Sequence, residues 1–395
     1  MKSEFAVAGQ WRGGWDEPGI RRWVEGLRNR LSAPNVTLGL VFMAPEFFDF
    51  ASEVLEVLRV HGRIPLLVGC SSSGLIANGE ELLEQGGIVL GLYHLPGATL
   101  RAIHFTQSSL DECTVPEDWY ALSQVRPSDV NGWLVFADPF HLDGETWLRQ
   151  WNGAYPRVPS VGGLAGGLWD ERRTQVYLNC EVHEEGVVAL AVGGRVRLES
   201  VISQGCTPIG ETWTITKAEG HFILQIANRP AYSVLVDTFN GLTRDEQSKA
   251  QGNLFVGLAG NEYRHEFQRG DFVVRSLLGA DPENGMLAIG AQPRAGQTLQ
   301  FHRRDAAAAT EDLSWVLSRM RERLAGRRVY GGCLCCCNGR GERLFGRSNH
   351  DSGLVQEQLG PLPVTGCFCA GELGPVGEKN FLHAYTASLA LFVEA

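Results

Sequence analysis

The sequence predicts a mixed α+β protein of the α/β kind. A strand–helix–strand unit occurs three times, supplemented by antiparallel hairpins, in two closely packed domains. Three observations carry this reading. A strand-like apolar run leads into a glycine-rich turn at Gly69–Gly74 (GCSSSG), at Gly162–Gly167 (GGLAGG) and at Gly366–Gly371 (GCFCAG). Upstream of each turn stands another apolar strand, ending at Met43, Ala137 and Cys337, and the span from strand end to turn is similar in all three. Between the two, apolar residues fall at helical spacing, as in Phe47, Phe50, Val54, Val57 and Leu58.

In chain order, Ile20, Trp23, Val24, Leu27 and Leu31 mark a helix over Glu17–Leu31. The first unit is a strand at Val36–Met43, a helix at Glu46–Val60 opened by Pro45, and a strand at Leu66–Gly69. Gly87–His94 and Thr99–Thr106 read as a hairpin. The second unit is Trp133–Ala137, the helix Leu142–Trp151 and Pro159–Gly162, followed by strands at Thr174–Asn179, Val187–Val192 and Arg195–Ser203. A less regular middle has helices at Pro230–Gly241 and Thr243–Ala250 and strands at Leu254–Leu258, Phe272–Leu278, Met286–Gly290 and Thr298–His302. The third unit follows the helix Asp305–Leu324: Val329–Cys337, a helix within Ser352–Leu359, Pro363–Cys367, and a closing strand region at Asn380–Val393. The organisation expected is an extension at 1–34 and domains at 35–210 and 211–395. No Ser/Gly-rich linker separates the two domains, so they should pack closely.

Composition excludes several classes. The 395 residues carry a net charge of −10, which disfavours nucleic acid or an anionic membrane as partner. No apolar run reaches the ~18 residues of a membrane helix, and the N-terminus has no signal-peptide core. The expectation is a cytoplasmic protein whose ten cysteines stay reduced.

The C-terminal third contains CNGRGERLFG at Cys337–Gly346, His350-Asp351, GCFCAGELGP at Gly366–Pro375 and LHAYTASLALF at Leu382–Phe392. With NRPAYSVL at Asn228–Leu235 and GCSSSG upstream, the chain resembles the FIST family, in its N-terminal and C-terminal domains, over roughly residues 35–390. The resemblance implies an intracellular sensory module for a small ligand, with amino acids proposed, of the stand-alone bacterial type. With no kinase, cyclase or methyl-accepting segment expected on either side, the output would pass through a signalling protein partner. Some family members are described as haem-linked sensors, so haem stays open as a cofactor alternative to none.

The residues suggest where a ligand would sit. Gly339 and Gly341 flank Arg340, whose planar fork suits a carboxylate. Glu372, after Gly371, could hold an ammonium group, or Arg340 and Glu372 pair with each other. Ser71, Ser72 and Ser73 either meet an anion or cap the segment after them. With Asn338 before the loop, these make the candidate ligand site. An enzyme of hydrolase or transferase type, using Cys367, Cys369 or a turn serine with Glu372 or His383, is the alternative, and a protein-interaction scaffold a further one. It has no readable nucleophile–base–orienter order. The third unit's two strands should be neighbours in one sheet; alternation puts Cys333, Cys335 and Cys337 on one face with Cys336 on the other, and Cys367 and Cys369 share a face. The spacing is not that of a zinc ribbon; the thiols are small core hydrophobes or a metal or redox site. His350 and His383 are the histidines to consider for ligation, and Asp138 reads as a cap.

Overall fold

The computed structural model describes residues 3–83, 86–262, 264 and 266–395, so the first two residues of the N-terminal extension lie outside it. The chain forms two compact units, Met1–Ile202 with Val316–Ala395, and Ser203–Trp315.

In the larger unit the three predicted strand–helix–strand elements are parallel pairs. Leu38–Met43 pairs with Leu67–Ser71, Gly132–Ala137 with Ser160–Leu164, and Val329–Cys337 with Val364–Cys369. The intervening helices are Ala51–Gly62, Gly144–Ala154 and His350–Leu359. Each pair nucleates a six-stranded sheet of the same design. An antiparallel strand lies beside the first member: Ile88–Tyr93, Val187–Gly194 and Ala387–Glu394 respectively.

Beside the second member lies a hairpin borrowed from another repeat. Gly74–Ala77 and Glu80–Leu83 leave the first turn and complete the third sheet on Val364–Cys369. Val176–Leu178 and Glu181–His183 complete the first sheet on Leu67–Ser71. Gly371–Val376 and Lys379–His383 complete the second on Ser160–Leu164. The closing region predicted over Asn380–Val393 is therefore two strands in two sheets.

One expected pairing is corrected. Ile88–Tyr93 and Ala98–Phe105 are not a hairpin. Both edges of Ile88–Tyr93 are taken, by Ala6–Trp11 and Leu38–Met43, and Ala98–Phe105 pairs instead with Val187–Gly194.

Alternation along the strands gives each sheet two apolar faces. The inner faces meet in one core holding Leu40, Phe42, Val68, Leu134, Phe136, Val161, Cys333, Cys367 and Phe392. The outer face of the first sheet, with Val41, Met43, Leu67 and Leu90, is covered by Ile20, Val24 and Leu27 of Glu17–Arg30 and by Val54 and Leu58. That of the second packs Val135 and Ala189 against Trp119, Trp147 and Trp151.

The first glycine of each turn has one cause. A Cβ on Gly69 would lie 1.7 Å from the Val41 carbonyl oxygen, on Gly162 1.9 Å from that of Val135, and on Gly366 1.8 Å from that of Leu334. These are register partners in the three parallel pairs. The glycines admit close approach of the neighbouring strand.

The smaller unit is an antiparallel sheet that closes on itself, because Thr207–Glu219 pairs with both Thr298–Arg303 and Phe222–Ile226. Ile215, Ile223, Val256, Leu287, Leu299 and Phe301 fill it, with Ala231 and Val234 of the helix Ala231–Asn240. Among the described residues, no helix is long and apolar enough to cross a membrane.

Candidate functional site

Parallel strands deliver their carboxyl ends to one side of a sheet, where polar turns can meet. Here the three glycine turns do meet, in a ring of hydrogen bonds. Gly166 N donates to the Ser71 carbonyl at 3.0 Å, and Ala370 N to that of Leu164 at 3.0 Å. At the third junction the Ser72 hydroxyl donates to the Phe368 carbonyl at 2.6 Å. The Ser71 hydroxyl donates to Gly166 O at 2.7 Å and accepts from Gln175 N at 2.8 Å. Ser71 and Ser72 are thus fully buried structural links between repeats. Ser72→Ala should leave the junction one donor short and cost about 1–3 kcal/mol in a denaturant titration.

The Gly-Arg-Gly loop follows Val329–Cys337 and is tied to the third turn by Asn338 N donating to Cys369 O at 2.9 Å. Gly341 has φ 66°, and a Cβ there would press on Leu83 and the Phe368 ring at 3.0 Å. Arg340 is completely buried. Its Nε donates to Asp351 Oδ2 at 2.6 Å and its Nη2 to Oδ1 at 2.9 Å, while Nη1 donates to the Tyr385 carbonyl at 3.2 Å. The His350 Nδ1 lies 2.9 Å from Asp351 Oδ1, and the His350 ring stacks on Phe345. Burial alone would raise the Asp351 carboxyl, but the charge and hydrogen bonds of Arg340, with those of His350, hold it well below the usual carboxylate range.

The alternative pairing of Arg340 with Glu372 is corrected by this arrangement, since the guanidinium fork faces Asp351 at the start of the helix His350–Leu359. Glu372 lies on the buried strand Gly371–Val376; its Oε2 accepts from Thr386 N at 3.1 Å, and its Oε1 has no partner among the described residues. Burial pushes its carboxyl well up, which favours the neutral acid.

A cavity of about 530 Å³ opens beside this ion pair, lined by Ser73, Gly74, Leu83, Trp169, Asn338, Arg340, Glu342, Arg343 and Phe368. Of the predicted ligand residues, Ser73, Asn338 and Arg340 line it. Gly339 and Gly341 shape the loop behind them, and Ser71, Ser72, Gly371 and Glu372 are not in its wall. Sequence reasoning missed Glu342, Arg343, Phe368 and Trp169. The first two stand inside the quoted GRGER string, and Trp169, half exposed just after the second turn, was the visible signal.

The remaining candidates are structural. Asp138 is buried and closes its own turn, accepting from Phe140 N and His141 N at 3.1 and 2.7 Å, whereas the helix Gly144–Ala154 is capped by Asp143. The His383 Nε2 sits 3.0 Å from Gly374 O. Cys335 and Cys367 are register partners, so the third unit's two strands are indeed neighbours. Cys333, Cys335, Cys367 and Cys369 join the inner core, and Cys336 points the other way, 3.7 Å from Asp351 Oδ2. Burial pushes the Cys333 and Cys367 thiols well up.

Comparison with known proteins places this architecture. The FIST N domain model matches residues 37–229 and the FIST C domain model residues 231–375. A Mycobacterium tuberculosis protein described as uncharacterized is 33% identical over 367 residues, covering 93% of this chain and 94% of its own. An F-box/LRR-repeat protein of Arabidopsis thaliana is 30% identical over 130 residues, 29% of this chain and 24% of that one. Among solved structures, a cyanuric acid hydrolase covers 99% of this chain and 100% of its own at 8% identity and a TM-score of 0.34. The chain therefore belongs to the FIST family, with a FIST N domain followed by a FIST C domain.

Proposed function

We propose that the chain is an intracellular, cytoplasmic sensory module. It binds a small carboxylate of amino-acid size in the cavity beside the Gly-Arg-Gly loop and passes the event to a signalling protein partner. The observation that carries this reading is the cavity where all three repeats contribute, lined by both charge signs side by side. Volume alone does not select it, since a groove at Glu56, Arg59 and Cys180 measures about 580 Å³. Its composition does. Arg343 offers a carboxylate partner, the neighbouring Glu342 an ammonium partner, Asn338 and Ser73 add hydrogen bonds, and Phe368 and Trp169 supply apolar walls. The size suits a small molecule, for which sites of about 300–1,000 Å³ are typical. Arg340 enters as the rigid floor, its fork already held by Asp351.

The test is a thermal-shift screen of amino acids and dicarboxylates. A ligand at a hundred times its Kd stabilises by about 2.7 kcal/mol, enough to read as a rise in Tm. The expected result is a rise with at least one compound, lost in Arg343→Ala and reduced in Asn338→Ala. No rise across the panel, or a rise that both variants retain, overturns the proposal.

A further inference from the structure

The three repeats can be laid on one another through their parallel registers, and the third departs from the others in one respect. Phe42 faces Cys70 across the first pair, Phe136 faces Gly163 across the second, and Cys335 faces Cys367 across the third. Phe42 and Phe136 fill their share of the inner core as an edge-to-face pair, ring centroids 5.3 Å apart. The third repeat brings sulfur instead of an aromatic ring. Cys335, Cys367 and Cys369 have Sγ atoms all within 4.8 Å of one another, and Cys367 and Cys369 are 3.5 Å apart. Cys333, one inward-facing position earlier, and Cys70 are in the same core. The second repeat yields space for this group, since a Cβ on Gly163 would stand 2.3 Å from Cys369 Sγ.

We propose that Cys335, Cys367 and Cys369 form a buried site for a soft, thiophilic metal ion of the d¹⁰ class, such as Cu(I) or Zn²⁺. A metal–sulfur bond of about 2.3 Å sets ligand sulfurs about 3.8–4.0 Å apart in tetrahedral or trigonal geometry, slightly beyond the 3.5 Å between Cys367 and Cys369 and inside the 4.8 Å that holds all three. The donors are sulfur alone, the set that selects soft ions. A charged ion suits this apolar core only where thiolates offset its charge: two neutralise Zn²⁺ and one neutralises Cu(I), the rest of the three donors binding as thiols. Each donor that binds as thiolate exchanges its S–H for S–metal and releases the proton to solvent, so affinity rises with pH. The three sulfurs are fully buried and none of them lines the cavity, which makes the site structural in kind.

The experiment uses the full chain expressed in medium containing ¹¹³Cd²⁺ and purified without oxygen. The expected result is about one cadmium per chain, a thiolate-to-metal ultraviolet band, and a ¹¹³Cd resonance in the range of sulfur-only coordination. Cadmium content and band should fall about tenfold or more in Cys335→Ala and in Cys367→Ala. Both should persist in Cys336→Ala, on the opposite face of the same strand, and in Cys180→Ala. A chain free of cadmium, a resonance typical of oxygen or nitrogen donors, or equal loss in Cys336→Ala overturns the proposal. The wild-type resonance decides the matter even where the core variants do not fold.

Discussion

Gly366→Ala is expected to destabilise the protein by more than about 3 kcal/mol, or to prevent its accumulation, and Gly69→Ala and Gly162→Ala should behave alike. The added methyl would sit 1.8 Å from the Leu334 carbonyl oxygen, and what it meets is backbone held in a ladder. Overpacking of a core typically costs about 1–3 kcal/mol when side chains can move aside; here the neighbouring strand itself must shift. Gly26→Ala gives the contrast. Gly26 lies within the helix Glu17–Arg30, and a Cβ there meets nothing within 4 Å. It should stabilise by about 0.5–1 kcal/mol. Urea midpoints of the four variants check both halves, and a mild effect at Gly366 would refute the close-approach explanation of the three turns.

Asp351→Asn should cost about 3–5 kcal/mol, because it leaves the Arg340 guanidinium buried without a counter-charge. The same pair sets an acid sensitivity. Asp351 is held below its unfolded value, so its contribution is fully present above about pH 4. It is lost as pH falls from there toward the depressed native value. Wild-type stability should therefore drop steeply below about pH 4, and this limb should be shallower in a double variant, Arg340→Leu with Asp351→Leu. If the double variant is as unstable as Asp351→Asn, the loss does not come from an unpaired charge. If the acid limb is unchanged in it, Asp351 is not the titrating group.

Much of the larger unit could be read in advance because its determinants are local. An apolar run, a helical stripe and a glycine turn each occupy a short window, and the first strand of the third unit has the bounds its sequence implies, Val329–Cys337. The borrowed hairpins were missed although one announced itself. Asn78-Gly79, with φ of 50° and 91°, is the dipeptide that favours a tight hairpin turn between Gly74–Ala77 and Glu80–Leu83. Nothing in a local window says which sheet such a hairpin joins. The partner of Arg340 was hidden for a related reason. The His350-Asp351 dipeptide is plain in the sequence, but only the path of Glu342–Phe345 and the helix after it turns that carboxylate onto the guanidinium. The cavity depended on all three repeats at once, so its wall could be guessed only in the part that one string of residues supplies.

The exchange of hairpins between repeats sets a timetable for synthesis. The segment Gly74–Leu83 docks on Val364–Cys369, almost three hundred residues further along, as Ile76 facing Gly366 shows. A ribosome will have released the first repeat long before that edge exists. The nascent chain must keep an apolar strand pair from sticking to its neighbours until the last repeat emerges, which makes assembly slow and exposed to helper proteins that shield unpaired edges.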